Sequence, residues 1–394
     1  MPDTITYKSF GELLKKVVDN RGKTCPTATS GIPLIATNCI KKENLYPVFE
    51  KVRYVTKDIF DTWFRGHPEP GDIIFVNKGT PGRVCWVPNP LNFCIAQDMV
   101  AIRADEKKIY PKYLFAALRS ENIQAEIENL HVGSLIPHFK KSDFNNLKIP
   151  VPNNTTQKFI GDLYFNLCLK IDLLKRQNET LETLSKTIFR QWFVEEAEVN
   201  WEERKLDDVI SVKGGTTPST IRPEFWNGTI HWTSPKDLSN HNSIFLFDTD
   251  KKITERGLKE IGSGLLPIGT VLLSSRAPIG YLAITEIPVA INQGYIAIIC
   301  DKLVSNYFIY LWCKANMPDI ENAGNGSVFQ EISKTTFRSL DFKIPPTEKL
   351  KMFDSEVEPM FQKIKSNAKQ INTLTHLRNS LLPKLMSGEV QIEN

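Results

Sequence analysis

An internal repeat covers most of the sequence and limits its fold more than any other feature. Residues 133–152 align with residues 326–345 at an offset of 193, and this offset continues without a gap through the next forty residues. Upstream the offset drifts to 198, where residues 70–84 align with residues 268–282. The identical pairs in the first stretch are Gly133 and Gly326, Ser134 and Ser327, Lys141 and Lys334, Phe144 and Phe337, Leu147 and Leu340, and Pro152 and Pro345. This period is far longer than the roughly 20–50 residues of solenoid repeats, so we predict a duplicated two-part module.

The first part of each module is typical of a mixed domain. Short β-branched runs bounded by Gly, Pro and Asn predict strands, for example IIFV, MVAI, TVLL and YIAII. They alternate with helical stretches such as residues 110–130, and proline-marked segments end the domains at 149–154 and 344–347. We therefore predict an α+β fold with two mixed α/β domains and two long helices, in the order 1–154, 155–195 (helix), 196–346 and 347–394 (helix).

The second part of each module has an apolar period of seven residues, which predicts a long helix whose stripe faces a partner helix. The expected pairing residues are Ile160, Leu167, Leu174, Leu181 and Ile188 in the first helix and Phe353, Met360, Leu374 and Leu381 in the second. Asn178 and Asn367 interrupt the rows, and buried amides of this kind fix register at a cost in stability. Pro359 predicts a kink or a late helix start. We expect the helices to form an antiparallel coiled coil with each other; the alternative is two separate core helices.

Composition excludes several classes of protein. The 394 residues are 41% hydrophobic and 24% charged, as in globular chains, and no apolar run approaches the roughly 18 residues of a membrane span. No apolar segment typical of a secretory signal follows the first basic residues. The seven cysteines are scattered without a C-x-x-C pair, which favours reduced thiols over disulfides or a zinc site. We expect a cytoplasmic protein without a metal and without membrane association.

Motifs of common catalytic sites are absent from the sequence. The Gly-rich run KGGTTPST at 213–220 lacks the lysine and the helix signal of a phosphate-binding loop, and no G-x-G-x-x-G follows a strand. There is no H-E-x-x-H, no G-x-S-x-G and no asparagine-proline-proline-aromatic motif of the kind amino-methyltransferases use. We therefore expect no catalytic residues and no bound cofactor.

The repeated loops carry donors suited to DNA. Residues 77–83 align with residues 274–280, and each loop combines a strand end, a hydroxyl or amide, a cation and a turn. Arginine binds guanine O6 and N7 in a bidentate manner, and Ser or Thr binds phosphate, although an ordinary charged turn is the alternative. A mildly basic first half, with 27 Lys and Arg against 20 Asp and Glu in residues 1–193, permits a polyanionic partner. The predicted DNA-binding residues are Lys78, Thr80, Arg83, Lys140, Lys141, Lys213, Thr216, Thr217, Ser219, Ser275, Arg276 and Lys334.

Four motifs point to one family. They are LSKTIFRQWFV at 184–194, KGGTTPS at 213–219, the run from Phe225 to Trp232, and LLPKLMSGEV at 381–390. Together with the duplicated order of domain and helix, these motifs resemble the DNA specificity subunit of type I restriction–modification enzymes over essentially the whole chain. The first domain departs from the family because it lacks a Gly-Gly-Thr-Pro opening.

The resemblance implies a non-catalytic subunit with two target-recognition domains. Each domain would read one half of a bipartite, asymmetric site in double-stranded DNA, while the helices space the domains and bind two modification subunits. Those methyltransferase subunits would hold S-adenosylmethionine, and restriction subunits that use ATP and Mg would complete the nuclease. Three other classes remain open: a stand-alone DNA-binding regulator, an enzyme with unrecognised catalytic residues, and a coiled-coil adaptor that binds no DNA.

Overall fold

The computed structural model describes residues 5–20, 23–130, 136–239, 243–324 and 330–389. The chain divides into two compact units, Met1–Leu173 with Ile371–Asn394 as the first and Leu174–Gln370 as the second. Each unit therefore combines one copy of the globular module with a part of each long helix. The repeat residues that lie outside the described ranges are Gly133, Ser134, Gly326 and Ser327, together with Val390 of the last family motif.

The first unit is a mixed α/β module. Its strands are β1 (Thr6–Ser9), β2 (Leu14–Asp19), β3 (Ile32–Ile35), β4 (Arg53–Val55), β5 (Ile73–Val76), β6 (Val84–Trp86), β7 (Cys94–Ile95), β8 (Met99–Ala104) and β9 (Lys148–Val151). Its helices are α1 (Lys57–Thr62), α2 (Pro111–Arg119), α3 (Glu121–Leu130) and the first part of α4 (Asn154–Arg190). The helical stretch predicted at 110–130 is thus two helices, because Ser120 adopts an extended conformation and its hydroxyl donates to the carbonyl oxygen of Ala117.

Strand β5 lies at the centre of this unit, between β8 and β6 in a sheet of order β2-β8-β5-β6. Its sequence IIFV is buried throughout. Ile73 and Phe75 pack into the core that also holds α2 and α4, whereas Ile74 and Val76 pack into a second core on the other face. Both faces of the strand are covered, and this explains why it is a continuous apolar run without alternation.

The second unit repeats these elements. Its strands are β10 (Glu202–Lys205), β11 (Ser211–Lys213), β12 (Trp226–Thr233), β13 (Phe245–Leu246), β14 (Lys251–Ile253), β15 (Val271–Ser275), β16 (Ile279–Thr285), β17 (Ala290–Ile291), β18 (Tyr295–Ile299) and β19 (Asp341–Ile344). Its helices are α5 (Leu206–Val209), α6 (Pro235–Ser239), α7 (Glu255–Lys259), α8 (Asn306–Ala315), α9 (Met317–Asn322), α10 (Lys334–Arg338) and the first part of α11 (Thr347–Ser387).

The two units share one sheet topology. The first has the orders β1-β9, β2-β8-β5-β6 and β4-β3-β7, and the second has β10-β19, β11-β18-β15-β16-β13 and β14-β12-β17. Strand for strand the orders are the same, except that the second unit adds β13. Local detail repeats as well: Thr56 and Thr254 cap α1 and α7 by accepting a hydrogen bond from the backbone N–H three residues on. The duplication inferred from the sequence is a duplication of structure.

Within the second unit, α4 and α11 contact each other and run in opposite directions. The side-chain amide of Asn367 donates to the side-chain oxygens of Asn178 and Gln177, both at 2.8 Å. Ser185, seven residues beyond Asn178, lies 3.4 Å from the sulfur of Met360, seven residues before Asn367. Asn178 and Asn367, the two amides that interrupt the apolar rows of the helices, therefore contact each other.

Helix α11 continues through Pro359, so the late helix start predicted there is wrong. Pro359 lies on the exposed side of the helix. Val357 and Phe361, on either side of it, are fully buried in the core of the second unit. Their packing holds the helix on the module despite the backbone N–H that proline lacks.

Burial of the predicted pairing residues is uneven. Ile160, Leu174 and Phe353 are buried, and the half-buried ones are Leu167, Leu181, Ile188, Met360, Leu374 and Leu381. The row four residues further along each helix is more deeply buried, for example Tyr164, Ile171 and Val357. The reason is that the helices also pack on the strands: Tyr164 belongs to the sheet core of its unit, and so does Val357.

Candidate nucleic-acid interface

In the second unit, one edge of the main sheet collects several of the predicted DNA-binding residues. The neighbours β11, β18 and β15 are antiparallel. The last residue of β11, Lys213, and the last residue of β15, Ser275, therefore lie at the same edge as the first residue of β18, Tyr295. The loop at 213–219 and the turn after Ser275 leave the sheet side by side.

Hydrogen bonds fix these two loops to the segment before β18. The backbone N–H of Ser275 donates to the carbonyl oxygen of Gly294 at 2.8 Å. The hydroxyl of Thr217 donates to the side-chain oxygen of the neighbouring Gln293 at 2.9 Å, and the backbone N–H of Thr216 donates to the carbonyl oxygen of Ile291 at 3.1 Å. Thr216 and Thr217 are exposed, so the anchored loop presents hydroxyls to solvent.

Two cations flank this edge. Arg276 pairs through its backbone with Glu331, and its guanidinium lies 3.5 Å from the carboxylate of that residue. Lys334 is the first residue of α10, and its side chain lies against Gly214, where any Cβ would collide with it. The glycine in the sequence KGG thus lets the Lys334 side chain approach the loop backbone. The structure brings Lys213, Thr217, Arg276 and Lys334 together.

Ser219 lies further along the same loop. It is exposed, and its carbonyl oxygen accepts a hydrogen bond from the indole N–H of Trp226 at 3.1 Å. This contact anchors the end of the loop on β12.

The first unit has the same edge, with Lys78 after β5. Lys78 pairs through its backbone with His138, and the Asn77 side-chain amide donates to the carbonyl oxygen of Phe139 at 2.9 Å. His138 and Glu331 are 193 residues apart, and Lys78 and Arg276 are 198 apart, which are the two offsets of the repeat. Lys78 is therefore the structural equivalent of Arg276.

Backbone conformation supports this equivalence. Gly79 and Ala277 follow the two cations with φ of 87° and 58°, and Gly82 and Gly280 have φ of 84° and 111°. The alignment of residues 77–83 with 274–280 is therefore wrong by one residue, and the offset of 198 found for the flanking residues 70–84 is the correct one. In this register the left-handed position after the cation holds Gly79 in one copy and Ala277 in the other. Alanine rarely adopts this conformation, so the turn is imposed by its surroundings.

The equivalent lysines of the two units have different partners. Lys141 begins the 3₁₀ helix at Lys141–Asn145, and Lys334 begins α10. Lys141 forms an ion pair with Asp19, whereas Gly214 takes the place of that aspartate beside Lys334. The first unit neutralises its lysine and the second leaves it without a carboxylate among the residues that the structure describes. Lys140, just before the 3₁₀ helix, is exposed.

Three other predicted DNA-binding residues, Ser275, Thr80 and Arg83, are buried or half-buried. Ser275 is only 3% exposed, Thr80 is half-buried, and in both the hydroxyl has no hydrogen-bond partner within the described ranges. Arg83 is half-buried and lines a cavity with Arg119 and Arg378. Sequence reasoning did not single out these last two arginines. One signal was present, since Arg378 occupies an apolar row of α11 that includes Ile364, Ile371 and Leu385.

The side chains at these edges are of the kinds that bind and recognise another molecule. Cations, hydroxyls and amides on loops at strand ends suit phosphates and base edges. Across the described ranges, no group of three or more His, Cys, Asp or Glu side chains is placed to hold a metal ion. In the same part of the chain, no helix is both long and apolar enough to span a membrane.

Comparison with known proteins relates both modules to one family. The model of the type I restriction modification DNA specificity domain matches residues 6–183 and again residues 198–376. The type I restriction enzyme MjaIX specificity subunit of Methanocaldococcus jannaschii is 36% identical over 182 residues, which are 44% of this chain and 42% of that protein. The HindI specificity subunit of Haemophilus influenzae is 23% identical over 402 residues, covering 81% of this chain and 86% of that protein. The crystal structure of the type I restriction–modification S subunit from M. genitalium has the same fold, with a TM-score of 0.64 at 18% identity over 97% of this chain and 96% of that one.

Proposed function

The chain belongs to the family of type I restriction–modification DNA specificity proteins, and from this premise we propose that it is the non-catalytic DNA-recognition subunit of such a complex. One observation carries the proposal. Two modules of the same topology each present a cation within two residues of the end of the central strand, Lys78 in one and Arg276 in the other. A pair of similar readers suits a DNA site made of two halves.

The two halves of the site would differ in sequence. Lys78 lies beside His138 where Arg276 lies beside Glu331, and Lys141 is paired with Asp19 where Lys334 lies against Gly214. Arginine presents a planar fork of donors and lysine a compact point charge, so the two contact base edges with different geometry, and a neutralised lysine attracts phosphate less strongly. The target is therefore a bipartite, asymmetric sequence in double-stranded DNA.

The exposed residues at the two edges are the proposed DNA contacts, because side chains reach DNA only from the surface. They are Lys78, Lys140, Lys213, Thr216, Thr217, Ser219 and Lys334, together with Arg276, a half-buried residue whose side chain is 40% exposed. We assign Thr80, Lys141 and Ser275 to holding the loops in place, since these three are half-buried, ion-paired and buried, respectively. Arg83 lines a cavity with Arg119 and Arg378 and is not among the proposed DNA contacts.

The long helices would serve as spacer and docking surface. We propose target-recognition domains at 1–154 and 196–346, a central helix at 155–195 and a C-terminal helix at 347–394. The proposed antiparallel coiled coil is supported by the contact between Asn178 and Asn367. Lys158 and Lys170 are exposed on α4, and a charged helix face of this kind suits contact with two modification subunits.

The chemistry of the complex would reside on its other subunits. S-adenosylmethionine belongs to the modification subunits, and ATP and Mg belong to the restriction subunits. The complex would act in the cytoplasm, where the host DNA is.

Methylation mapping tests the proposal. The chain is co-expressed with the modification subunit encoded beside it, and the DNA of the host is sequenced for methylated adenines. We expect a single motif of two unequal halves separated by a fixed spacer, and no methylation from either protein alone. Tight, sequence-specific DNA binding by the chain alone, with no methylation in the co-expressing host, would instead identify a stand-alone regulator.

A further inference from the structure

A cavity of about 320 Å³ lies in the first unit, between the end of α2, the start of β6 and the two long helices. Its walls carry the side chains of Arg83, Arg119 and Arg378, with Tyr164 and Leu382 beside them. Lys42 adds a fourth positive charge, and Glu43 and Glu121 carry the opposing negative charges. The formal charge of the walls is therefore positive, and the volume is in the range of small-ligand pockets.

Two of these arginines are buried, and neither has a carboxylate partner among the residues that the structure describes. Arg119 is 9% exposed, and its guanidinium donates to the carbonyl oxygens of Asn44 and Val84 and lies 3.8 Å from the sulfur of Cys168. Its Nε has no hydrogen-bond partner within the described ranges. A buried cation without an opposite charge is costly, so this position calls for an anion.

Arg378 approaches the same cavity from α11. It is 6% exposed and bonds only to neutral oxygens in the described part of the chain, those of the Asn379 side chain and the Glu43 backbone. Burial raises the pKa of Tyr164, whereas Arg119 and Arg378 oppose that rise, since both cations lie near its hydroxyl. The phenol of Tyr164 and the guanidinium groups of Arg119 and Arg378 thus line the same cavity.

The second unit shows what an internally neutralised copy of this site looks like. Lys314 is the next-to-last residue of α8, and Arg119 is the last residue of α2. Each cation lies over the aromatic ring four residues earlier, Tyr310 or Phe115. Partial burial lowers the pKa of Lys314, and the carboxylate of Glu182 opposes that shift. Glu182 also lies 2.7 Å from the ammonium group of Lys186. In the second copy a carboxylate acts directly on the cation, whereas in the first copy no carboxylate of the described residues pairs with Arg119 or Arg378.

We propose that the cavity of the first unit binds a small oxyanion, a phosphate or a carboxylate, through Arg83, Arg119 and Arg378. Planar guanidinium groups suit both classes because their N–H pairs match two oxygens of one anion. Val84 and Leu382 supply apolar wall, which suits an organic anion larger than a bare ion. The cavity shares the turn at 77–83 with the proposed DNA edge through Arg83, but its other two arginines come from α2 and α11, and the proposal does not rest on the proposed function.

Calorimetric titration of the full chain tests the proposal. Inorganic phosphate and succinate are titrated in separate experiments at constant ionic strength, with chloride as the blank. We expect saturable binding of one anion per chain for at least one of the two, and the better ligand identifies the class as phosphate or carboxylate. Arg378→Gln removes one charge-assisted contact pair and should lower the affinity about 10- to 100-fold. Absence of saturable binding to wild-type protein overturns the proposal.

Matched variants locate the site. Arg53→Gln removes an exposed charge from the same unit and should leave the affinity unchanged. Arg83→Gln removes a less buried member of the cavity, and it decides the matter if Arg378→Gln does not fold. Arg276→Gln tests the proposed DNA edge of the other unit. If phosphate binding is lost in Arg276→Gln and kept in Arg83→Gln and Arg378→Gln, the anion is held by the DNA loops and the cavity proposal is wrong.

Discussion

At the scale of single residues, the equivalence of Lys78 and Arg276 has a direct consequence for DNA recognition. Replacing either with glutamine removes one cation from one module only. We expect Lys78→Gln to relax discrimination in one half of the target and Arg276→Gln in the other, each by about 1–3 kcal/mol at a base-contacting position. The measurement is competition binding by the assembled complex, with duplexes altered in one half-site at a time.

Arg204 provides a control for this pair. It is an exposed arginine of the second unit on β10, paired with Glu202 and away from the loop edge. Arg204→Gln should leave discrimination unchanged in both halves. If Lys78→Gln and Arg276→Gln weakened all duplexes equally, the two residues would be contacting phosphate and not bases.

Asp72 and Arg103 form an ion pair that supports the central sheet of the first unit. The Asp72 carboxylate is 2% exposed, and its two oxygens lie 2.8 and 3.0 Å from the guanidinium of Arg103. Asp72→Asn leaves that cation with only the exposed Glu69, so we expect a loss of about 3 kcal/mol in the free energy of unfolding. Glu69→Gln should cost less than about 1 kcal/mol. Denaturant titration checks both values, and equal effects would contradict this assignment.

At the scale of elements, the contact between Asn178 and Asn367 predicts a stability difference. Asn367 is 1% exposed and donates to two side-chain oxygens of α4. Asn367→Ala leaves those oxygens without their donor and should destabilise the protein by about 2 kcal/mol. Asn372 is exposed on the same helix, and Asn372→Ala should change stability by less than about 0.5 kcal/mol. Similar unfolding midpoints for the two variants would contradict a structural role for the amide pair.

The sequence predicted the two long helices better than it predicted their burial or the conformation of the loops. The seven-residue period predicted two long helices, and α4 and α11 are there, but it did not predict which row is most buried. That depends on a third surface, the sheet core, against which Tyr164 and Val357 pack. The loop at 77–83 was aligned with 274–280 one residue out of step with the offset of 198 that the flanking residues already gave. The sequence did not predict that Ala277 adopts a left-handed backbone conformation, which alanine rarely takes.

The candidate site was predicted in part. Lys213, Thr217, Arg276 and Lys334 were proposed separately and lie together, because antiparallel strands bring their ends to one edge. Burial of Ser275 was not foreseen, since a hydroxyl at a strand end looks the same in sequence whether exposed or buried. The arginine cavity was missed because its side chains come from α2, β6 and α11, which are distant in the chain.

At the scale of the whole molecule, we propose that the two long helices hold the two DNA-reading modules at a fixed separation. Duplication explains why the modules share one topology, and the differences at His138 and Glu331 explain why they would read different bases. If the helices act as the spacer, their length sets the number of base pairs between the half-sites. A spacer length set by the helices requires more of the protein than DNA binding alone, and one experiment tests it.

The test removes one heptad from each helix. Residues 170–176 and 369–375 are opposite each other in the register set by Asn178 and Asn367, so deleting both preserves the apolar seam. The spacer helix shortens by about 10 Å at 1.5 Å per residue, equivalent to about three base pairs of B-DNA. The deleted protein is co-expressed with its modification subunit and the methylated adenines are mapped by sequencing. If the helices set the spacer length, we expect both half-sites to be kept while the spacer loses about three base pairs. Methylation at the original spacer length would contradict this role of the helices.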